Sequence, residues 1–152
     1  MCIRVLIADD QPRARRSLNA LLTAMRWSTP AQAVEPAVDG HFPVEIIGEA
    51  EDGPQTVDQV WALQPDVVLM DLLMHTVPGA DTASAPEARL DGLATIQMIK
   101  REWPAVRIVV LTMFATDRAS VLAAGADAFL LKGCPTVELL DAMSPSLAAG
   151  RG

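Results

Sequence analysis

At four places in this sequence a charged or hydroxyl residue follows directly on a short apolar run. IRVLIA at 3–8 runs into Asp9-Asp10, VVLM at 67–70 into Asp71, VRIVVL at 106–111 into Thr112, and AFLL at 128–131 into Lys132. The runs are rich in Val, Ile and Leu and are nearly continuous in hydrophobicity. Strands buried on both faces of a parallel sheet have this pattern. All strands of such a sheet end on one edge, so these side chains converge there. Ligands of open α/β sheets bind at that edge, where the strand order reverses. If the strands carrying Asp9-Asp10 and Asp71 are neighbours at the reversal, the acids share one pocket. Carboxylates packed within a few ångströms cannot all ionise unaided, so either one holds a proton or a cation sits among them. Oxygen ligands without Cys or His favour Mg2+, which keeps several waters and is commonly completed by a phosphate oxygen. Lys132 supplies a compact positive charge and Thr112 a hydroxyl donor. The set suits a phosphoryl group, with one carboxylate as nucleophile. Taken singly, each residue has a plainer role. An Asp after a strand is commonly a turn or cap residue, as Asp10 before Pro12 could be, and a Lys there is commonly solvated. Coincidence at four strand ends, in order, is what points to chemistry.

These residues need a scaffold of alternating elements. A further apolar run, VEII, lies at 44–47. Between the runs, apolar residues recur at helical spacing over 12–25, 54–63, 92–103 and 135–143, and 116–124 is alanine-rich. Strand and helix therefore alternate five times. Right-handed crossovers then put helices on both faces of an open, doubly wound α/β sheet. Two connections are long for such a fold, at about 27–43 and 75–90, and both are rich in Pro, Ala and small polar residues. Trp61 and Trp103 fall on helical stripes and are expected to be core or partly buried.

The chain has 152 residues, enough for a single ordinary domain, with 19 acidic against 12 basic residues and a net charge of −7. At 51% hydrophobic and 20% charged it is not a disordered chain. The acidic balance argues against binding to nucleic acid or a membrane surface by charge alone. The 2 cysteines can make neither a disulfide framework nor a four-thiolate zinc site. They read as cytosolic, and Cys2 and Cys134 are expected at opposite ends of the sheet, out of bonding reach. The N-terminal apolar run is too short for a secretion signal, and no stretch approaches the ~18 residues of a membrane span.

With these residues in place, the sequence resembles the receiver domains of two-component response regulators. The motifs are VLIADDQ at 5–11, VVLMDLLM at 67–74, DGL at 91–93, VVLTM at 109–113 and GADAFLLKG at 125–133. IGEAEDG at 47–53 and LLKG at 130–133 are similar to the branch whose receivers precede a helix-turn-helix DNA-binding domain. The resemblance implies a flavodoxin-like fold, a five-stranded parallel sheet in the order 2-1-3-4-5. It implies that Asp71 is the phosphoacceptor, and that Asp9 and Asp10 hold Mg2+, Asp10 directly and Asp9 through water. The backbone carbonyl of Leu73 would be a further ligand. Thr112 would be the switch hydroxyl, Lys132 the cation that pairs with the phosphoryl group, and Phe129 the aromatic switch. The implied partners are a sensor histidine kinase and a second copy in a homodimer. DNA would be reached only through a domain outside this chain, residues 1–152 being one receiver domain. The implied location is the cytoplasm, with no membrane contact.

The sequence also departs from the family pattern. His75 stands where a proline is usual. Asp91-Gly92 comes twenty residues after Asp71 rather than about eight, so 75–90 holds an insertion of roughly a dozen residues, which either covers or borders the acidic pocket or is a solvated, tolerated loop. Helix 4 is short, Pro145 falls within the expected last helix, and both bear on how copies would pair. Met113, larger than the usual residue, could narrow the pocket. His75 beside the site could be a ligand or a proton relay, although a loop histidine is more often neither, and His41 is expected on a loop surface. One rival reading is a phosphorylation-independent interaction module on the same fold. A phosphatase with an aspartyl nucleophile would carry D-x-D after strand 1, and Gln11 breaks that spacing. A flavin-binding module would need a phosphate loop there, and DDQPRAR is not one.

Overall fold

Among the residues described by the computed structural model (3–28, 44–72, 86–113 and 118–143), strands and helices alternate throughout. The strands are β1 (Ile3–Ala8), β2 (Val44–Ala50), β3 (Val67–Asp71), β4 (Arg107–Thr112) and β5 (Ala128–Leu131). All their pairings are parallel, in one sheet of order β2-β1-β3-β4-β5. The helices are α1 (Pro12–Ser28), α2 (Gly53–Leu63), α3 (Pro86–Glu102), α4 (Arg118–Ala124) and α5 (Thr136–Met143). The expected doubly wound order is therefore observed, and it reverses between β1 and β3.

Successive strand residues point to opposite faces, so the continuous apolar runs feed two cores. Leu6, Ala8, Val68, Met70, Ile108 and Val110 pack against Val60 of α2, Ile96 and Ile99 of α3 and Val121 of α4. Ile3, Val5, Ile7, Val67, Leu69, Val109 and Leu111 pack against Leu22 of α1 and Leu139, Leu140 and Met143 of α5. Full burial of each such side chain favours the fold by roughly 1.5–3 kcal/mol. A polar residue in the middle of β3 would face one of these cores, and Asp9, Asp71, Thr112 and Lys132 lie at or just past the ends of β1, β3, β4 and β5.

Several boundaries differ from the sequence expectation. Helix α1 runs on to Ser28, because no proline or glycine interrupts it before Pro30. Helix α3 begins at Pro86, six residues early. Proline suits a first helical turn, and Glu87, Ala88, Arg89 and Leu90 are adequate or good helix formers. The last five residues assigned to the 75–90 loop are therefore helical. Strand β2 extends to Ala50, past a register shift at Val5/Leu6 where Ile46 and then Gly48 are paired. Trp61 is not core: it is 71% exposed. The buried side of α2 is Gly53, Thr56 and Val60, and one further residue rotates Trp61 about 100° away from it. Trp103 does pack against the first core, partly buried. Cys2, His41, Leu73, His75, the remainder of the 75–90 insertion and Pro145 lie outside the described residues.

Two local features generate predictions. Gly92 is buried on α3, and a Cβ added there would lie 2.3 Å from the backbone oxygen of Leu72 and 3.0 Å from its Cδ1. Glycine costs a helix about 1 kcal/mol relative to alanine, so Gly92→Ala would stabilise α3 were the space free. The contact is with backbone, which cannot rotate aside, and the overpacking cost of roughly 1–3 kcal/mol wins. Gly92→Ala should lower the melting temperature, whereas exposed Ala94→Gly should cost only about 1 kcal/mol through propensity. A Gly92→Ala protein as stable as the parent in thermal melts would contradict this close approach. Cys134, after β5, packs against the second core. Burial first, and then the charge of Glu138, push its thiol pKa above the ordinary 9.0. In a Cys2→Ser background, the iodoacetamide rate plotted against pH should have its midpoint above 9.0. A midpoint near neutrality would contradict this partly buried placement beside Glu138.

Candidate functional site

The sheet register sets the site. Ala8 is level with Met70, so Asp9 and Asp71, one step on, emerge side by side from the neighbouring strands β1 and β3. Asp71 is in turn level with Leu111, next to Thr112, and Thr112 is level with Leu131, next to Lys132. Each acid thus gains its place from the pairing of apolar residues beneath it. Asp9 and Asp71 are nearly sealed, at 2% and 8% exposure, and Asp10 is partly buried. One carboxylate oxygen from each of Asp9, Asp10 and Asp71 lies within 4.8 Å of the others.

Lys132 answers the resulting repulsion. Its ammonium donates hydrogen bonds to Asp9 Oδ2 and Asp71 Oδ2, each at 3.0 Å. Burial alone would lower its pKa, but the hydrogen bonds and charges of Asp71 and Asp9 outweigh that and hold it above 10.5. The side chain is therefore a fixed cation through the neutral range. It reaches the acids because Lys132 N–H donates to the Thr112 carbonyl at 2.8 Å, continuing the sheet one residue past β5. Gly133 then takes a φ of +88°, a turn that residues with a side chain rarely adopt.

The acid pair sits on a braced turn. Asp9 N–H donates to the Ala50 carbonyl at 2.9 Å, and Gln11 N–H donates to Asp9 Oδ1 at 2.9 Å. The adjacent β2–α2 turn is closed by a reciprocal cap: Gln55 N–H donates to Asp52 Oδ1 at 2.8 Å, and Glu51 N–H donates to Gln55 Oε1 at 3.0 Å. Arg15 of α1 joins the two turns, donating to the Asp9 carbonyl at 2.6 Å and pairing with Glu49 and Glu51.

Of the residues singled out from sequence, Asp9, Asp10, Asp71 and Lys132 come together. Thr112 flanks them at the end of β4 and is 1% exposed. Phe129 is further down β5, level with Val110, two residues before Thr112 on the same sheet face. It is half-buried against the α2–α3–α4 core. Met113 is exposed. Arg15 and the Asp52–Gln55 cap were missed. The cap is legible as D-x-x-Q ahead of a helix, and Arg15 as a cation in the first turn of α1, where the helix dipole disfavours it.

The three acids offer hard oxygen donors only, a set that fits Mg2+ and has no soft ligand for zinc or copper. With a buried hydroxyl and a fixed ammonium beside them, they can hold a divalent cation and receive a tetrahedral oxyanion.

Known proteins share this fold. A family model described as the response regulator receiver domain matches residues 31–144. The transcriptional regulatory protein LiaR of Bacillus subtilis (strain 168) is 35% identical over 152 residues, covering 99% of this chain and 57% of that protein. The response regulator protein VraR of Staphylococcus aureus (strain Mu3) is 26% identical, covering 94% of this chain and 56% of that protein. The chain thus spans little more than half the length of these relatives. Among solved structures, the isolated REC domain of RcsB from Salmonella enterica serovar Typhimurium, obtained in the presence of phosphomimetic BeF3-, superposes with a TM-score of 0.65. It is 26% identical, over 99% of this chain and 89% of that one. A LuxR-family two-component response regulator from Aurantimonas sp. SI85-9A1 shares the fold, with a TM-score of 0.67 at 22% identity over 98% of this chain and 87% of that one. With its sheet order, its acid cluster and its matched residues, this chain belongs to the response regulator receiver domain family.

Proposed function

We propose that the chain is a phosphoacceptor, receiving a phosphoryl group on Asp71 from the phosphohistidine of a sensor histidine kinase. The observation that carries this reading is the cluster itself: three carboxylates within 4.8 Å, two of them bonded to one ammonium. Asp9, Asp10 and Asp71 would hold Mg2+, together with the carbonyl of Leu73. When bound, Mg2+ supplies charge neutralisation for the transferring phosphoryl group. An Asp71 carboxylate oxygen attacks phosphorus in line, the nitrogen–phosphorus bond breaks with its electron pair going to nitrogen, and the imidazole leaves neutral, its proton already on the other ring nitrogen. Lys132 then exchanges a carboxylate partner for a phosphoryl oxygen, at little cost because the group stays anionic. Thr112 turns its hydroxyl toward the same group. Phe129, on the same face, follows toward the core, and the populations of the output surface shift. The chain assists its own phosphorylation and dephosphorylation and is not a turnover enzyme.

The relatives extend beyond the matched length, and the name of one is a transcriptional regulatory protein. We place the output there: control of transcription by a DNA-binding domain outside this chain, through a homodimer. Among the described residues no helix is long and apolar enough to cross a membrane, and the reading places the protein in the cytoplasm.

Acetyl phosphate with Mg2+ should label the native chain on one aspartate. Asp71→Asn should abolish the label, and chelation of Mg2+ should do the same to the native chain. Labelling of Asp71→Asn at equal yield would remove Asp71 from the role. Lys132→Ala probes the charge balance. It leaves two nearly buried carboxylates without their cation, which should cost about 3 kcal/mol in metal-free buffer, the low end for a buried pair because Lys132 keeps 21% of its side-chain exposure. Millimolar Mg2+ should restore more stability to this variant than it adds to the native chain. Equal thermal shifts for the two proteins would contradict the reading.

A further inference from the structure

We infer that Arg15 is a positioning residue for the metal-binding acid pair, acting through the peptide between Asp9 and Asp10. The inference rests on the Mg2+ role proposed above and concerns what makes that role efficient. Arg15 buries its charge: the side chain is 12% exposed, while its ion-pair partners Glu49 and Glu51 are 43% and 58% exposed. The contacts to those glutamates are loose, at 3.7 and 3.4 Å, and lie in solvent, where such pairs contribute little. The close contact is the other one. Arg15 Nη1 donates to the Asp9 carbonyl at 2.6 Å, a charge-assisted hydrogen bond.

That carbonyl has a particular place in the chain. Asp9 itself is held by its N–H on Ala50, by Gln11 N–H on Oδ1 and by Lys132 on Oδ2. The Asp9 carbonyl, however, belongs to the planar unit that continues into the nitrogen and Cα of Asp10. Fixing that oxygen fixes the plane, and the plane sets where the Asp10 carboxylate starts from. Asp10 is the more open of the pair and the one that would bind the ion directly, so its preorganisation matters most. An arginine in the first turn of α1 opposes the helix dipole, a placement that helix stability alone does not favour. The glutamates offset its charge, so the guanidinium braces the turn without repelling a divalent ion.

Two effects compete when Arg15 is removed. The local charge becomes more negative, which tightens Mg2+ binding, and the Asp9–Asp10 peptide loses its brace, which loosens it. The charge left unbalanced is that of Glu49 and Glu51, which are exposed and screened within about 8 Å at physiological ionic strength, so the lost brace dominates. Residues that orient metal ligands typically cost 10–100-fold in affinity when removed, and the expectation here is about tenfold.

The experiment is calorimetric titration of Mg2+ alone, at 0.15 M ionic strength, into the native chain, Arg15→Ala, Arg15→Gln, Arg15→Lys and the Glu49→Gln/Glu51→Gln double variant. Circular dichroism melts establish which variants are folded, and Arg15→Gln, which keeps the aliphatic stem, serves if Arg15→Ala is not. The Mg2+ dissociation constant should rise about tenfold in Arg15→Ala or Arg15→Gln, less in Arg15→Lys, and by less than about threefold in the double variant, which keeps the Asp9 bond. In acetyl phosphate labelling, the half-saturating Mg2+ concentration should move more than the maximal rate. A folded Arg15→Ala or Arg15→Gln protein that binds Mg2+ within about twofold of the native chain would overturn the inference while leaving the proposed function intact. A native chain that itself fails to bind Mg2+ would overturn the functional reading and the inference with it.

Discussion

Like charge crowded at one sheet edge is the constraint on which the rest of this structure depends. Two carboxylates a few ångströms apart repel by roughly 3–4 kcal/mol at an effective dielectric of about 20, and here three are brought together. The chain offsets this with one ammonium, bonded to Asp9 and Asp71 from the end of β5. Asp10 is more open than Asp9 and Asp71, and its carboxylate completes the cluster. The lysine is the counter-ion to the acids, and in the proposed chemistry the same ammonium is the hydrogen-bond donor for an incoming anion.

The scaffold serves this edge closely. Strand pairing of Ala8 with Met70 and of Leu111 with Asp71 places the acids by backbone register alone, so their positions do not depend on long side chains. Gly92 lets α3 approach the residue after Asp71. Arg15 and the Asp52–Gln55 cap tie the β1–α1 and β2–α2 turns into one body. Bracing of this kind is what a metal site needs, because each freely turning ligand adds an ordering cost to every binding event.

Much of this was legible in the residues. Continuous apolar runs ending in Asp9, Asp71, Thr112 and Lys132 signal strands buried on both faces, and the fold that follows brings those ends together. What escaped had physical reasons. Helix α3 starts at Pro86 because a proline can begin a helix as well as break a loop, and composition alone does not tell which. Trp61 falls on a helical stripe with Val57 and Val60, but one position on a helix turns a side chain by about 100°, and it is exposed. Arg15 was hidden among neighbouring arginines, since its value comes from a backbone oxygen that sequence pattern does not display. The 75–90 insertion shows the same limit from the other side: its last five residues are helix, and Glu87, Ala88, Arg89 and Leu90 suit one, but the Pro-, Ala- and Ser-containing stretch before them hides the boundary.

The most direct measurement is a crystal structure of this chain grown with Mg2+ and beryllium fluoride. The proposed chemistry requires an ion among the carboxylates of residues 9, 10 and 71, a fluoroberyllate joined to an oxygen of residue 71, and the ammonium of residue 132 shifted onto a fluorine. Full density for the free carboxylate of residue 71, with the ammonium still shared between residues 9 and 71 at saturating concentrations of both reagents, would contradict it.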